Sequence, residues 1–538
     1  MRGVCVVLLC ACATAHANQD LSPTFRSRSS QLAPAAAYYE SPGPLASHRG
    51  LFLRVERAIA DAAAKSGKPR PESDTRYDDA ALDLAAASTE TTTPPYQVVE
   101  FAMRRHGIIE PPPHVISAAL GHGDVDDEAL IADLNAKMPG LLREGRYNRI
   151  GIGLYDDGRG GAIRLTILLG ESYVKLERMP RVVSAGGSFT VRGRVLPPYH
   201  GVDVIVTAPS GAVENPALVR EAKGFRAIVA CSGARGQHKV EITADDQSGP
   251  QVLANFPVYC GVEAPLTPAS VVMDTEVHSP EQAERKIFDL LNEDRQKAHL
   301  RPLGYDEKLA AVARAHCKDM QAHDFVGHVS PTTGDAVARM RRAGLAAPVI
   351  LENVARAYSP EEVERGLMDS PGHRANILST EATTVGVGVA FGREVEGRRE
   401  LFATQLFVRR VAAPDPAHAA AQVLAEINAR RGRAHLKAVA RSAPLDQAAL
   451  EFARAVAAGK ASRDQGQRAA ARAVELAGNR YSSVGALFTV VPEVSRLPDT
   501  DVALASDLAA VGIGVAIGDS KDLGPGAWYV TVVLAKGR

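Results

Sequence analysis

Net charge is the first thing this sequence lacks. Its 62 Lys and Arg are matched by 62 Asp and Glu, so a basic stripe for nucleic acid is not indicated. Long apolar runs are missing as well: beyond the N-terminus nothing offers the ~20 uninterrupted apolar residues that cross a bilayer, and no transmembrane segment is expected. Cysteine is scarce. Of six, Cys5, Cys10 and Cys12 fall in the first 17 residues, leaving Cys231, Cys260 and Cys317.

The N-terminal cysteines sit in a readable context. Arg2, the apolar run Val4 to Ala13 and the small-residue site Ala15-His16-Ala17 have the pattern of a secretory signal peptide over 1–17. That predicts a secreted or periplasmic protein. Lipoprotein anchoring through Cys12 is the weaker expectation, because Cys10 stands where a small or hydroxyl residue is usual. Export permits a Cys231–Cys260 disulfide, whose loop closure would stabilise by roughly 3.5 kcal/mol on chain-entropy grounds. Cys317 shares a helical stripe with Leu309, Val312, Ala313 and Met320 and reads as a buried thiol.

What is present is length and changing rhythm. A chain of 538 residues, 46% hydrophobic, is too long for one core. Residues 18–48 have no periodicity and read as a flexible leader. Breaks at Ser88 to Pro95, Ala264 to Ser270 and Ala412 to Ala417 read as a loop and two linkers. Within 178–263 short alternating runs are separated by turn signals such as Pro197-Pro198 and Ser248-Gly249-Pro250. That is the pattern of an antiparallel β-sandwich. It resembles an immunoglobulin-like module, without the strand-C Trp.

Residues 277–411 behave differently. Ser279-Pro280-Glu281-Gln282 and Ser359-Pro360-Glu361-Glu362 each supply a capping Ser, a first-turn Pro and an acid or amide at the third helical position, so both start helices. Ser370-Pro371-Gly372 should end the second helix. Val385 to Phe391 and Leu401 to Val408 alternate as a hairpin. Gly386 and Gly388 then belong to a strand, not to a phosphate loop.

Part of this pattern returns at 418–538. Leu291-Asn292, Arg295 and Ala298-His299-Leu300 recur as Ile427-Asn428, Arg431 and Ala434-His435-Leu436, and the run Val385 to Gly392 recurs as Val511 to Gly518. A fainter copy covers 49–173, with Tyr77-Asp78-Asp79 and Ile150 to Gly153. Neither copy repeats the Glu-Asn or Pro-Gly-His motif. His299 and His435 are therefore expected to be structural, and His106, His114 and His122 to be surface or loop residues.

Those motifs hold the one constellation with chemistry in it. His328 follows Phe325-Val326-Gly327, Glu352 precedes Asn353, and His373 lies in Ser370-Pro371-Gly372-His373-Arg374. Two imidazoles and a carboxylate could bind Zn or another divalent metal, or share protons. We expect the three to converge in one exposed cleft.

Asn292, Leu303 with Asp306, Phe325 to His328, Glu352-Asn353, Ser370 to Arg374 with Asn376-Ile377-Leu378, and Val385 to Val389 together resemble the bacterial, SCP-like branch of the CAP superfamily. This is the family of cysteine-rich secretory proteins, antigen 5 and pathogenesis-related 1. The resemblance implies an α-β-α sandwich with two His and one or two acids facing a cleft. His328, Glu352 and His373 match, with Asn353 beside them. The second acid has no clear counterpart: Ser370 stands near its place, and Asp369 or Glu364 would serve only in a different helix register. The whole chain then reads as multi-domain, a CAP domain with degenerate CAP-like copies and an immunoglobulin-like β-sandwich. Its implied role is binding or scaffolding at the cell envelope or outside the cell, toward a lipid, glycan or protein ligand. The alternative is a metal-dependent hydrolase of peptide, ester or glycan bonds using His328, Glu352 and His373.

Overall fold

The Ser-Pro caps act as their chemistry dictates: Ser279 accepts from the amide of Gln282 and Ser359 from that of Glu362, and each begins a helix. The computed structural model describes residues 34–41, 49–87, 94–120, 127–156, 163–231, 235–268, 275–345, 347–395, 398–409, 416–462, 465–491, 504–520 and 524–537. The expected signal peptide, His122, residues 88–93 of the expected loop, and residues 269–270 and 412–415 of the two expected linkers lie outside them.

Strand β1 (Tyr38–Tyr39) precedes a first unit of α1 (Gly50–Lys65), β2 (Glu72–Ser73), α2 (Thr75–Ala87), α3 (Tyr96–Arg105), β3 (His114–Leu120), α4 (Asp127–Glu144), β4 (Arg149–Tyr155) and β5 (Ile163–Gly170). A sandwich follows, with β6 (Val174–Leu176), β7 (Met179–Pro180), β8 (Val182–Val183), β9 (Ser188–Val195), β10 (His200–Thr207), β11 (Val213–Glu214), β12 (Leu218–Glu221), β13 (Gly224–Ala230), β14 (Gly236–Asp246) and β15 (Gly249–Cys260). Next come α5 (Pro280–Lys297), β16 (Gly304–Tyr305), α6 (Glu307–His323), α7 (Ala336–Arg342), β17 (Ile350–Ala357), α8 (Pro360–Asp369), α9 (Pro371–Ile377), β18 (Thr384–Val395) and β19 (Arg398–Val408). The last unit holds α10 (Pro416–Arg433), β20 (Ala440–Arg441), α11 (Ala443–Ala457), α12 (Gln467–Ala477), β21 (Ser483–Val491), β22 (Leu508–Ser520) and β23 (Gly524–Lys536).

Three sheets share one plan. Their orders are β2-β4-β5-β3, β16-β18-β19-β17 and β20-β22-β23-β21, each with a short parallel first strand and antiparallel pairs after it. The Gly-x-Gly pairs explain how a helix lies flat on each. A Cβ added at Gly151, Gly153, Gly386, Gly388, Gly512 or Gly514 would fall 2.2 Å from main-chain atoms of α2, α6 or α11. Only a missing side chain lets helix and strand backbones approach that closely.

The repeated Asn, Arg and His form one loop device. Asn292 brackets the main chain of Leu303 through its amide, and Asn428 does the same to Val439. Arg295 reaches the carbonyls of Arg301, Ile377 and Ser379, and Arg431 those of Lys437 and Ala505. His299 and His435 are exposed and hold φ of 58° and 57°, where the first unit has Gly67 at 69°. They are left-handed helix ends rather than ligands.

The sandwich packs a five-stranded sheet, β11-β10-β14-β15-β8, on a four-stranded one, β12-β13-β9-β6. Phe189, Val191, Phe225, Ile242 and Phe256 fill the space between them, and the Cys231–Cys260 disulfide ties the sheets together. Cys317 is buried and its thiol is pushed up to about 12, first by burial.

Several expectations change. The leader is not wholly without structure: Tyr38–Tyr39 pairs with Met179–Pro180, and Tyr39 is fully buried in the sandwich with its hydroxyl on Pro257 O at 2.7 Å. Ser370 ends α8 but also caps α9, so His373 lies in a first helical turn. Glu352 and Asn353 stand on strand β17 rather than on a turn. His106 is buried against Asp83 at 2.8 Å, and His114 is half-buried.

Candidate functional site

The three anticipated side chains arrive from different elements. His328 lies in the loop after α6. Glu352 sits on β17, the outermost strand of its sheet, and His373 in the first turn of α9. His328 Nδ1 is 3.1 Å from Glu352 Oε1, and the two imidazole centroids are 6.3 Å apart. A carboxylate can only accept, so Nδ1 carries the proton and Nε2 is left for another partner.

Arg339 is the member that sequence reading missed. Its guanidinium binds Glu352 Oε2 and also reaches His328 O at 3.1 Å. Both side chains of the ion pair are nearly buried, at 4% and 5% exposure. Burial pushes the Glu352 carboxyl up, but the His328 hydrogen bond and Arg339 outweigh it and hold the group below the usual range. The signal was an Arg amid Ala, Val and Met in α7, too common a pattern to single out.

Asn353 does not line the site. It is fully buried and holds the His373 turn in place. Its Nδ2 donates to His373 O and to Gln405 Oε1, and its Oδ1 accepts from Asn376. Gln405 in turn donates to Glu364 at 2.6 Å, whose carboxyl burial raises to about 8. Glu364 is therefore an inward structural group. His316, also buried, bonds Gly327 O at 2.9 Å and supports the His328 loop from behind.

The cleft is not open to solvent on all sides. The sandwich and the first unit stand across from it, leaving a half-open cavity of about 900 Å³ lined by His328, Glu352 and His373 on one side, within the size range of small-ligand sites. Val329 N donates to Ser248 O and Gly372 N to Glu241 Oε1, so the turn at Ser248 and strand β14 are fastened to the two His-bearing segments. A second seam joins three units: Lys239 of β14 pairs with Glu100 of α3, and Asn255 of β15 donates to the carbonyl of Asp369 at the end of α8. Asp369 is thus part of the seam and not a cleft acid.

Burial shifts several titrating groups around this space, which Arg104, Arg146, Arg356 and Arg398 also line. It depresses His373 to about 3, helped by His328, and His114 to about 4, helped by Arg356. It lifts Glu241 and Asp369 to about 7, and raises Glu171 too. Glu100 is the exception: Lys239 and Arg104 outweigh burial and hold it at about 2.

The expected divalent site does not fit this arrangement. Both Glu352 oxygens are engaged, one by a guanidinium that would repel a cation, and among the described residues no group of three or more His, Cys, Asp and Glu is placed to hold a metal ion. Nor, among them, is any helix long and apolar enough to cross a membrane.

Residues 288–407 match the cysteine-rich secretory protein family, CAP. The uncharacterized protein YkwD of Bacillus subtilis (strain 168) is 39% identical over 128 residues, 23% of this chain and 50% of its own. The uncharacterized membrane protein YlbC of the same strain is 36% identical over 109 residues, 20% and 31% respectively. The chain thus spans half or less of the length of these curated relatives. Similar solved structures include an extracellular protein with an SCP domain from Bacillus anthracis str. Ames, at 19% identity and TM-score 0.22 over 44% of this chain and 85% of that one. Another is an outer surface protein of Borrelia burgdorferi, at 16% and 0.22 over 26% and 100%. With scores this low, the architecture rests on the strand order above.

Proposed function

Residues 288–407 being a domain of the CAP family, we propose that the protein is an extracellular binding protein whose ligand site is the cavity over His328, Glu352 and His373. The observation that carries this reading is the shared wall: two further units are fastened beside the cleft and supply most of the residues opposite it. The sandwich is read as an immunoglobulin-like spacer, and the units at 49–173 and 418–538 as degenerate CAP-like copies that keep the sheet and its Gly-x-Gly seat without the polar residues. A binding scaffold retains fold and surface; a catalyst repeated three times would retain its His and Glu. The metal-dependent hydrolase is set aside because the donors do not fit a cation.

The test is retention on isolated cell-envelope material. Filling the cavity with Ala355→Trp should lower retention at least about ten-fold while thermal unfolding stays near that of the native chain. H328A/H373A should lower it by a smaller factor. Undiminished retention of a folded Ala355→Trp protein would refute the assignment of the site.

A further inference from the structure

We propose that the carboxyl cluster where the end of α8 meets α3 and β14 is a pH-sensitive latch: one proton shared between Asp369 and Glu100 holds the CAP domain against the first unit and the sandwich, and its loss toward neutral pH lets the domain part from them. The latch governs whether the cavity's walls stay together, whatever the cavity binds.

The polar links across this boundary crowd onto residues 369–372. Asn255 Nδ2 donates to Asp369 O at 3.0 Å, and Gly372 N donates to Glu241 Oε1 at 3.1 Å. The Ser370 side chain also bonds Glu241, and the Asp369 carboxyl bonds that of Glu100. One short segment of the CAP domain thus holds on to both neighbours. Those neighbours are fastened to each other separately, by Asn255 N on Ile109 O at 2.8 Å and by Arg146 on Asp246 at 2.8 Å. Loosening residues 369–372 would therefore release the CAP domain from the pair, which Val329 N on Ser248 O, at 2.9 Å, also ties.

Two carboxyl groups can hydrogen-bond each other only while one keeps its proton, because a carboxylate has nothing to donate. Lys239 decides which one. Its ammonium hydrogen-bonds Glu100, so Glu100 is the ionised partner and Asp369 the donor. Facing the pair are Tyr96 and Arg104 from α3, Glu241 from β14 and Arg365 from α8, with Tyr39 and Tyr259 acting on Lys239 and Glu100 from β1 and β15. The three tyrosines are all raised above their usual value and stay neutral. Arg104 stands 3.9 Å from Glu100 and spends Nη1 on the carbonyls of Ile108 and Glu110. Burial first, and then Glu100, raise Asp369 from 3.8 to about 7 against the pull of Lys239 and Arg365. Above that, two like charges meet in contact. Glu241, lifted by burial to about 7, loses its proton over the same range.

The sign follows from linkage. Carboxyls freed by parting return to ordinary values, so the joined state binds protons more tightly. Joining is at its strongest below about pH 4, weakens by up to about ten-fold per pH unit for each raised carboxyl as far as about pH 7, and levels off above.

Hydrogen–deuterium exchange on the full-length protein without ligand reads this directly. The amides of Val329 and Gly372 bond across the boundary, and their opening constant, corrected for the intrinsic pH dependence of exchange, should rise by about ten-fold or more from pH 5 to 7 while the amides of β18 stay protected. Asp369→Asn keeps a donor toward Glu100 at every pH, so its opening constant at pH 7 should stay within about three-fold of the native value at pH 5. Glu100→Gln removes the like charge from the other side and should flatten the profile too. It decides the matter if Asp369→Asn loses protection in β18. A native opening constant that is flat from pH 5 to 7 overturns the proposal, and so does a folded variant whose opening climbs with pH as steeply as the native chain's. No ligand enters the test, so its outcome is independent of the cavity's role.

Discussion

Arg339→Met removes the cation that keeps Glu352 ionised in a nearly water-free place. The guanidinium binds Glu352 Oε2, supports His328 O at 3.1 Å and is 4% exposed, so methionine fills the volume but leaves a buried carboxylate with one partner. Breaking a buried pair from one side costs about 3–5 kcal/mol, more than the pair itself contributes against an apolar replacement. We expect that loss in the unfolding transition of residues 280–408, followed by urea titration at pH 7. The sign with pH is fixed by Glu352. Its native carboxyl lies below the ordinary value, so the stabilisation it carries is present above the unfolded pKa and lost as pH falls through the folded one. The penalty of Arg339→Met should therefore shrink from pH 7 toward pH 4, where Glu352 takes up a proton. Adding Glu352→Gln should recover part of the loss at pH 7, since the orphaned charge is gone. A loss under about 1 kcal/mol at pH 7, or one that does not change with pH, would refute the pairing.

Glu241 should show the opposite pH dependence. Its carboxyl is raised from 4.5 to about 7 by burial, so it weakens the native state progressively from about pH 4 to 7 and levels off above. Glu241→Gln should stabilise by up to about 3 kcal/mol at pH 7 and by nothing near pH 4, read from paired denaturation curves. Gly514→Ala should cost about 3 kcal/mol or more in the last unit, because the new Cβ meets α11 backbone at 2.2 Å, and its calorimetric transition should shift downward while the others stay. Tyr39→Ala should cost about 3–5 kcal/mol in the sandwich, seen as a lowered unfolding midpoint, since the ring is fully buried and its hydroxyl is bonded. An unchanged midpoint would mean that β1 does not fasten the leader there.

Much of the local structure was legible because it depends on near neighbours. A Ser-Pro run followed three residues after the Ser by Glu or Gln favours a helix start through near-neighbour contacts, and both such runs in 277–411 began helices. The two-residue alternation of Val385 to Val389 and of Leu401 to Val408 made the central hairpin readable. Glu352 was harder. The sequence Ile350 to Ala357 has no clean alternation, because both its faces are covered and its edge lines a cavity, so the strand was not recognised. Tyr39 was missed for a similar reason: two tyrosines in an aperiodic stretch bury themselves only because another unit supplies the pocket.

The sequence by itself determined which side chains could do chemistry and which positions had to be small. His328, Glu352 and His373 stand out by type and motif, and the Gly-x-Gly pairs by their return in each unit. Only the tertiary structure decided what those groups are. Arg339, from a helix with no motif, occupies Glu352 and disfavours a cation. Glu241 and Gln251, from the sandwich, line the same cavity, a juxtaposition no spacing encodes. Covalent order fixes what each residue can offer, but burial and charge at a site are set by whatever the fold brings against it.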